Sequence, residues 1–136
     1  MITAVDTSVL LDVFGADPVY GARSKQALQT AIAQGRLVAC EAVWAEVAGW
    51  FTSPADARAA MERLGVDFSA ITMETALDAS RAWKAYRQRG GKRIRVAADF
   101  LIGAHASFQA DRLLTRDRGF YRSYFKHLSI LDPSRS

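Results

Sequence analysis

The first apolar run of the chain, Ile2 to Val5, ends on an acidic residue, and this junction constrains the fold more than any other stretch. The run is too apolar to have one wet face, which favours a strand covered by helices on both sides. Asp6 then lies at the carboxyl end of a central strand, where open α/β sheets bind ligands. We expect Thr7 and Ser8 to cap the helix that follows. The junction therefore predicts either a capped strand–helix turn or the edge of a binding site.

The composition predicts one globular domain spanning residues 1–136. Half of the residues are hydrophobic, which is enough for a core without disulfides or structural metals. The apolar runs are far shorter than the roughly 18 residues of a membrane span, and no basic leader precedes a cleavage site. We therefore expect a cytoplasmic protein. Cys40 is the single cysteine, which excludes an internal disulfide and a thiolate metal cluster.

Charge is divided unevenly between the two halves of the chain. Residues 1–78 carry five basic and ten acidic side chains, a balance of −5, whereas residues 79–136 carry thirteen basic and four acidic ones, a balance of +9. Seven of the basic residues lie between Arg81 and Arg95, with no acid among them. A basic half is typical of proteins with a polyanionic partner, and solvated basic faces are common as well.

Strand and helix patterns alternate along the chain, as expected for a parallel sheet between two helical layers. Strands are predicted at 2–5, 37–40, 66–69, 112–115 and 128–131. Helices are predicted at about 18–34, 42–51, 54–64, 73–88 and 96–106. In the helix at 73–88, the residues predicted to face the core are Ala76, Leu77, Ser80, Trp83 and Tyr86.

Three further acids occupy places that resemble the place of Asp6. Asp117 follows the strand at 112–115, Asp99 lies near the start of the helix at 96–106, and Glu46 lies beside the aromatic stripe of the helix at 42–51. Taken alone, Glu46 is typical of a solvated helix residue. Because the carboxyl ends of parallel strands meet at one edge of a sheet, we expect the four acids to reach the same space.

Several carboxylates in one place repel one another, so a folded protein tolerates them when cations or protons neutralise the charge. No histidine or cysteine cluster accompanies these acids, and oxygen-only ligation suits Mg²⁺ or Mn²⁺ rather than zinc. Such a site polarises a phosphoryl oxygen and lowers the pKa of a bound water, which phosphodiester hydrolysis requires. The pattern therefore favours metal-dependent cleavage of a nucleic acid that the basic half holds.

The motifs together resemble a known family. They are Asp6-Thr7-Ser8, Glu46, the segment Asp-Phe-Leu-Ile-Gly-Ala-His-Ala at 99–106 and the segment Thr-Arg-Asp-Arg-Gly-Phe at 115–120. In this order they are similar to the PIN domain and, more narrowly, to the VapC ribonuclease toxins of type II toxin–antitoxin modules. The resemblance covers essentially the whole chain in length and element order.

The resemblance implies a three-layer α/β/α fold with a mainly parallel central sheet. It also implies a Mg²⁺- or Mn²⁺-dependent endoribonuclease that a small cognate VapB-like antitoxin inhibits by lying across the active-site groove. The toxin is expected to be a homodimer, alone or within a larger toxin–antitoxin assembly. The resemblance also implies a partner for three hydrophobic residues, because the antitoxin of the family packs an amphipathic segment near these helices. They are Trp44, Trp50 and Phe51.

Carried over residue by residue, the resemblance assigns catalytic roles to four acids. The acidic tetrad is Asp6, Glu46, Asp99 and Asp117. Of these, Asp6, Asp99 and Asp117 are expected to hold the metal, and Glu46 either completes the coordination or orients the attacking water. Ser8 matches the hydroxyl that supports the metal site, and Thr115 matches the residue that orients the last acid. The residues predicted to bind RNA are Arg87, Arg89, Lys92, Arg93, Arg95, Arg116 and Arg118.

Three other interpretations compete with this one. A receiver domain needs a phosphoacceptor aspartate at the end of its third strand, and the strand at 66–69 ends without one. A haloacid-dehalogenase phosphatase needs Asp-x-Asp after the first strand, whereas Asp6 is followed by Thr7 and Ser8. A PIN-like module that binds RNA without cutting it remains open, and salt-sensitive RNA binding without metal-dependent cleavage is its signature.

Overall fold

The computed structural model describes residues 1–91 and 97–135. Five strands are found there, each within two residues of its predicted bounds: β1 (Ile2–Val5), β2 (Arg36–Ala39), β3 (Val66–Phe68), β4 (Arg112–Leu114) and β5 (Ile130–Leu131). The helices are α1 (Thr7–Phe14), α2 (Gly21–Gln34), α3 (Glu41–Trp50), α4 (Pro54–Leu64), α5 (Met73–Gln88), α6 (Ala97–Gln109) and α7 (Arg118–Tyr124). None of the helices in these ranges combines the length and the apolar character needed to cross a bilayer.

The five strands form one sheet in the order β3-β2-β1-β4-β5, and every neighbouring pair is parallel. The chain moves outward from β1 to β2 and β3, and then returns to the other side of β1 with β4 and β5. The strand order therefore reverses between β1 and β4. Ligands of open α/β sheets bind in the crevice at the carboxyl ends of the strands at such a reversal.

Helices cover the sheet in the three-layer α/β/α arrangement. In the first half of the chain, α1 packs against α2 and α3, and α3 packs against α4. Further along, α5 packs against α6 and α7, and α6 also contacts β1 and β4. The prediction of an α/β fold with a parallel sheet is confirmed.

The central strands and α6 are buried because helices lie over both faces of the sheet. Val5, Leu113 and Leu114 are no more than 1% exposed. In α6, the absence of a side chain at Gly103 lets the Phe125 ring approach so closely that a Cβ there would overlap the ring. His105 is packed in this helix, and its Nε2 lies 2.9 Å from Ser69 Oγ. The core thus fixes α6, which carries Asp99, against β1 and β4.

The prediction of the buried face of α5 is wrong for four of its five residues, while Tyr86 is partly buried against the core as predicted. Leu77 is 65% exposed and Trp83 is 41% exposed, and Ala76 and Ser80 are also exposed. The buried residues of this helix are instead Thr75, Ala79 and Ala82. Small side chains face α6 because the two helices pack closely, while the Trp83 ring stacks on Phe100 and keeps its other face in solvent.

Candidate active site

Asp6 ends β1 as a buried carboxylate. Its backbone N–H donates to the carbonyl oxygen of Leu114 at 3.0 Å, so the residue continues the pairing of β1 with β4. The residue is only 8% exposed. Asp6 Oδ2 accepts a hydrogen bond from Thr115 Oγ1 at 2.7 Å and lies 3.4 Å from the Tyr121 hydroxyl, which donates to it. These contacts hold the carboxylate at the reversal of strand order.

Helix α1 begins at Thr7, so the expectation that Thr7 and Ser8 precede this helix as caps is wrong. Asp6 occupies the N-cap position with an extended backbone. Thr7 Oγ1 donates to Glu46 Oε1 at 2.6 Å and thereby connects α1 to the acid on α3. The sequence patterns assigned Thr7 no role in the site. The available signal was a hydroxyl residue directly after the acid that ends β1.

Thr115 links two of the acids. It is fully buried after β4, where its own N–H donates to the Leu131 carbonyl at 3.0 Å. Its Oγ1 donates to Asp6 Oδ2 and accepts from the backbone N–H of Asp117 at 3.0 Å. One hydroxyl therefore fixes the Asp6 carboxylate and the backbone at Asp117, which is the N-cap residue of α7.

All four predicted acids line one cleft at the carboxyl edge of the sheet. Asp99 is half-buried in the first turn of α6, and Glu46 is exposed on α3. The cleft has a volume of about 520 Å³. Its lining residues are Asp6, Thr7, Ser8, Leu11, Glu46, Asp99, Arg116 and Asp117. The fold thus brings together acids that are up to 111 positions apart in the chain.

The electrostatics of the cleft act most strongly on Asp6. The pKa of its carboxyl is raised from 3.8 to about 6, chiefly by burial and to a smaller extent by the nearby charges of Asp99 and Asp117. The hydrogen bond from Thr115 works in the opposite direction and lowers this pKa. A cation in the cleft would favour the charged form of Asp6, because opposite charges lower the pKa of a carboxyl group.

The cleft fits a divalent cation by the type and charge of its donors. Carboxylate oxygens are the ligands that Mg²⁺ and Mn²⁺ prefer, and Asp6 is close enough to Asp99 and Asp117 to feel their charges. As placed, no group of three histidine, cysteine or carboxylate side chains within residues 1–91 and 97–135 is arranged to hold a metal ion.

Arg116 places a positive charge beside these acids. Its Nε and one of its terminal nitrogens each donate to the Asp12 carboxylate at 2.9 Å, and the guanidinium lies 4.0 Å from the centre of the Tyr20 ring. Asp12 is 5% exposed and also accepts from Ser24 Oγ at 3.0 Å. Sequence reasoning gave Asp12 no role, although a lone acid among the apolar residues of α1 was a signal that it has a buried partner.

The other predicted RNA-binding residues are placed differently. Arg87 and Arg89 are exposed at the end of α5, and Arg89 lies 5.1 Å from the centre of the Tyr124 ring. Arg118 pairs with Asp132 at 3.1 Å and does not line the acid cleft. Lys92, Arg93 and Arg95 lie outside the described residues. Their contact with RNA, like that of the other four arginines, stays a prediction.

Comparison with known sequences identifies the family. A model of the PIN domain matches residues 3–126. The chain belongs to the PIN domain family. The matched range begins within β1 and ends beyond α7, so this PIN domain contains all four acids of the cleft. A search of curated protein sequences gave no match.

Solved structures share the fold of this PIN domain at low sequence identity. VapBC2 from Rickettsia felis, bound to a DNA fragment from its promoter, aligns with a TM-score of 0.75 at 16% identity over 97% of this chain and 98% of that one. VapBC-1 from nontypeable Haemophilus influenzae gives 0.75 at 19% identity over 99% and 100%. FitAcB from Neisseria gonorrhoeae gives 0.70 at 18% identity over 100% of both chains. These similarities establish the common fold.

Proposed function

We propose that this chain, as a single PIN domain over residues 1–136, is a metal-dependent endoribonuclease and the toxin of a toxin–antitoxin pair. The observation that carries the proposal is the convergence of four acids in one cleft at the reversal of strand order. Nuclease activity is general among VapC-type PIN domains. The basic second half of the chain supports a polyanionic substrate.

In the proposed mechanism, Asp6, Asp99 and Asp117 hold Mg²⁺ or Mn²⁺, with Ser8 at the edge of the site. When bound, such an ion polarises the scissile phosphate and stabilises the charge that develops on its oxygens. Thr115 fixes Asp6 and the backbone at Asp117 through one hydroxyl.

Glu46 orients the attacking water in this mechanism. Its Oε1 accepts the Thr7 hydroxyl at 2.6 Å, which leaves Oε2 to accept a proton of the water. The water oxygen forms a bond to phosphorus in line with the P–O bond that breaks, while one proton of the water passes to Glu46 Oε2 and the leaving oxygen takes up a proton from solvent. Arg116, at the rim of the same cleft, contacts a phosphate oxygen of the RNA.

Cleavage of total cellular RNA by the purified protein tests this function. The reaction is run with Mg²⁺, with Mn²⁺ and with EDTA, after any small co-purified partner has been removed. We expect discrete fragments that require the metal and are lost in an Asp99→Asn variant of unchanged fold. Full activity of the variant would overturn the assignment of Asp99, and cleavage in EDTA would overturn the metal mechanism.

A second candidate function, RNA binding without cleavage, is favoured by one observation. Among the described residues, no three acids are placed so that they hold a metal ion without side-chain movement. A folded, partner-free protein that binds RNA in a salt-sensitive way and cuts no RNA in Mg²⁺ or Mn²⁺ would support this candidate. The same result would reject the endoribonuclease.

The proposed inhibitor is a VapB-like antitoxin, and the toxin itself forms a homodimer. Structures with the same fold are described as VapBC and toxin–antitoxin complexes, which supports this type of partner. Trp50 is 51% exposed at the end of α3 and contacts Phe51 edge-to-face, which in turn contacts Phe14. Phe51, Phe14 and Trp44 are partly buried against the core, so Trp50 is the aromatic residue here that is exposed enough to suit the apolar face of an antitoxin segment.

A Trp50→Ala variant tests the antitoxin surface. We expect at least about tenfold weaker binding of the cognate antitoxin, because large aromatic residues dominate such contacts. Leu77→Ala is the matched control, since Leu77 is an apolar residue, 65% exposed, on a different helix, α5. Unchanged antitoxin affinity in a folded Trp50→Ala protein would count against the assignment.

A further inference from the structure

Arg116 is held from two directions at the rim of the acid cleft. Asp12 accepts two of its N–H groups at 2.9 Å each, and the Tyr20 ring lies under the guanidinium at 4.0 Å. An arginine carries five N–H donors, so three remain beyond those that Asp12 accepts. The side chain is 28% exposed and lines the cleft. The structure thus presents a fixed cation with donors to spare at the mouth of the site.

Asp12 is itself immobilised. Its side chain is 7% exposed, and the buried Ser24 hydroxyl donates to Oδ2, the oxygen that also accepts from Arg116 Nε. Ser24 lies on α2, so the carboxylate is locked between α1 and α2. A planar fork of two hydrogen bonds defines the orientation of the guanidinium as well as its position.

The neighbours of Arg116 explain why such an anchor matters. Asp117 is the next residue in the chain, and the cleft also contains Asp6, Asp99 and Glu46. A flexible guanidinium beside several carboxylates pairs with them, since opposite charges attract strongly where water is partly excluded. An arginine so placed would neutralise the acids and compete with a divalent cation. Arg116 instead forms its ion pair with Asp12.

We propose that Asp12 is a positioning residue that holds Arg116 away from the metal-binding acids and at the cleft rim, where it binds an RNA phosphate. This inference rests on the proposed function and assigns a task to a residue outside the acidic tetrad. Asp12 touches neither the RNA nor the metal. It acts through Arg116, so its effect on metal binding vanishes when Arg116 is absent.

The first part of the proposal, that Asp12 holds Arg116 away from the metal-binding acids, is tested by Mn²⁺ binding to RNA-free protein. The electron paramagnetic resonance of free Mn²⁺ measures this binding directly. We expect Asp12→Asn to weaken Mn²⁺ binding about tenfold, because a released cation opposes the metal. Arg116→Gln is expected to bind Mn²⁺ no more weakly than the wild type, and the double variant to match Arg116→Gln. Equal weakening by Asp12→Asn in both backgrounds would overturn the inference, since it would reflect only the lost charge of Asp12.

Arg116→Lys provides a second route if Asp12→Asn fails to fold. Lysine keeps the positive charge and lacks the planar fork, so it frees a cation while Asp12 stays intact. We expect Arg116→Lys to weaken Mn²⁺ binding several-fold, as the released charge approaches the acids. Wild-type Mn²⁺ affinity in this variant would contradict the inference.

RNA binding in EDTA tests the second part of the proposal, that Arg116 binds an RNA phosphate. We expect Arg116→Gln to weaken binding and to lower the slope of the salt dependence by about one, the effect of losing one phosphate contact. Arg36→Gln is the matched control, because it also removes one positive charge that pairs with an acid, Asp67, and Arg36 does not line the cleft. Unchanged RNA affinity in Arg116→Gln, or equal weakening in Arg36→Gln, would overturn the phosphate contact.

The proposed function and the inference fail in different ways. Absence of Mn²⁺ binding by the wild type removes the metal site, and the positioning role of Asp12 falls with it. Wild-type Mn²⁺ binding that is lost in Asp99→Asn supports the site, and the comparison of Asp12→Asn in the two Arg116 backgrounds then decides the inference alone.

Discussion

Asp6 and Asp12 are two buried carboxylates on one short stretch of chain, and they differ in how their charge is balanced. Asp12 is 5% exposed and receives two hydrogen bonds from the Arg116 guanidinium. Asp6 is 8% exposed, and within the described part of the chain its charged neighbours are Asp99 and Asp117, which repel it. The pKa of Asp6 accordingly rises to about 6.

The difference separates a carboxylate that pairs with a cation of the same chain from one that lies beside other acids. A buried charge is unfavourable unless a partner of opposite sign compensates it. The fold supplies that partner to Asp12, whereas the described residues form no ion pair with Asp6. A carboxyl whose pKa is strongly perturbed in a cleft is typical of a functional site. The contrast predicts that neutralising the two residues has opposite effects on stability and different effects on activity.

The largest expected effect is the loss of cleavage in Asp6→Asn. We expect metal-dependent RNA cleavage to fall by about a thousandfold or more, because the variant loses a charged ligand at the reacting phosphate. Initial rates at saturating Mg²⁺ measure the loss. Asp67→Asn is the control, since Asp67 is an exposed acid on β3 that pairs with Arg36. A rate for Asp6→Asn within threefold of the control, roughly 0.7 kcal/mol in barrier height, would contradict the role of Asp6.

The same substitution is expected to stabilise the metal-free protein at neutral pH. The folded-state pKa of Asp6 lies above its unfolded value of 3.8, so ionisation of Asp6 destabilises the fold. This destabilisation is absent below pH 3.8, grows as the pH rises to about 6 and is complete above it. At pH 7.5, Asp6→Asn is therefore expected to gain up to about 3 kcal/mol of unfolding free energy.

Urea unfolding in EDTA at pH 4.5 and pH 7.5 measures this gain. The advantage of Asp6→Asn over the wild type should be larger at pH 7.5 than at pH 4.5, because more of the wild-type Asp6 is charged there. An equal advantage at both values would show that the gain has another source than the charge of Asp6.

Asp12→Asn is expected to act in the opposite direction. It leaves Arg116 without its counter-charge, and breaking a buried ion pair on one side costs several kcal/mol. Since the Arg116 side chain is 28% exposed, water offsets part of this loss, and we expect about 2 kcal/mol of destabilisation. Urea unfolding at pH 7.5 measures it. A stability gain like that of Asp6→Asn would erase the contrast between the two carboxylates.

The smallest expected effect is that of Thr115→Val. The change removes the donor to Asp6 and the acceptor of the Asp117 N–H while it preserves the shape of the side chain. We expect the free energy of unfolding to fall by about 1 kcal/mol. The loss should be greater at pH 7.5 than at pH 4.5, because Thr115 stabilises the charged form of Asp6. Equal losses at both pH values would show that this hydrogen bond does not favour the charge.

Much of the site was predictable because its residues lie at junctions that local sequence patterns define. The strand patterns at 2–5 and 112–115 end next to Asp6 and Asp117, and parallel strands bring their carboxyl ends to one edge. Asp99 in the first turn of α6 follows from the helical pattern at 96–106. The shared location of Asp6, Asp99 and Asp117 was therefore accessible from the strand and helix patterns, whereas Glu46 was assigned through the resemblance to the PIN domain.

The buried face of α5 was not predictable in the same way. Its periodicity allows a large apolar face with Leu77 and Trp83 or a small one with Ala79 and Ala82. The close approach of α5 to α6 selects the small face. Side-chain size then outweighs hydrophobicity, because a well-packed interface between helices has room for only certain volumes.

The sequence by itself determined the order of helices and strands and the ends of strands at which the acids lie. Hydrophobic periodicity and turn residues carry this information over a few neighbouring positions. Only the tertiary structure decided which charges are compensated. Arg116 reaches Asp12 across 104 positions, and Thr7 reaches Glu46 across 39, so no local pattern contains either pair. The physical reason is that charge pairing depends on distance in space, which the packing of the whole domain sets.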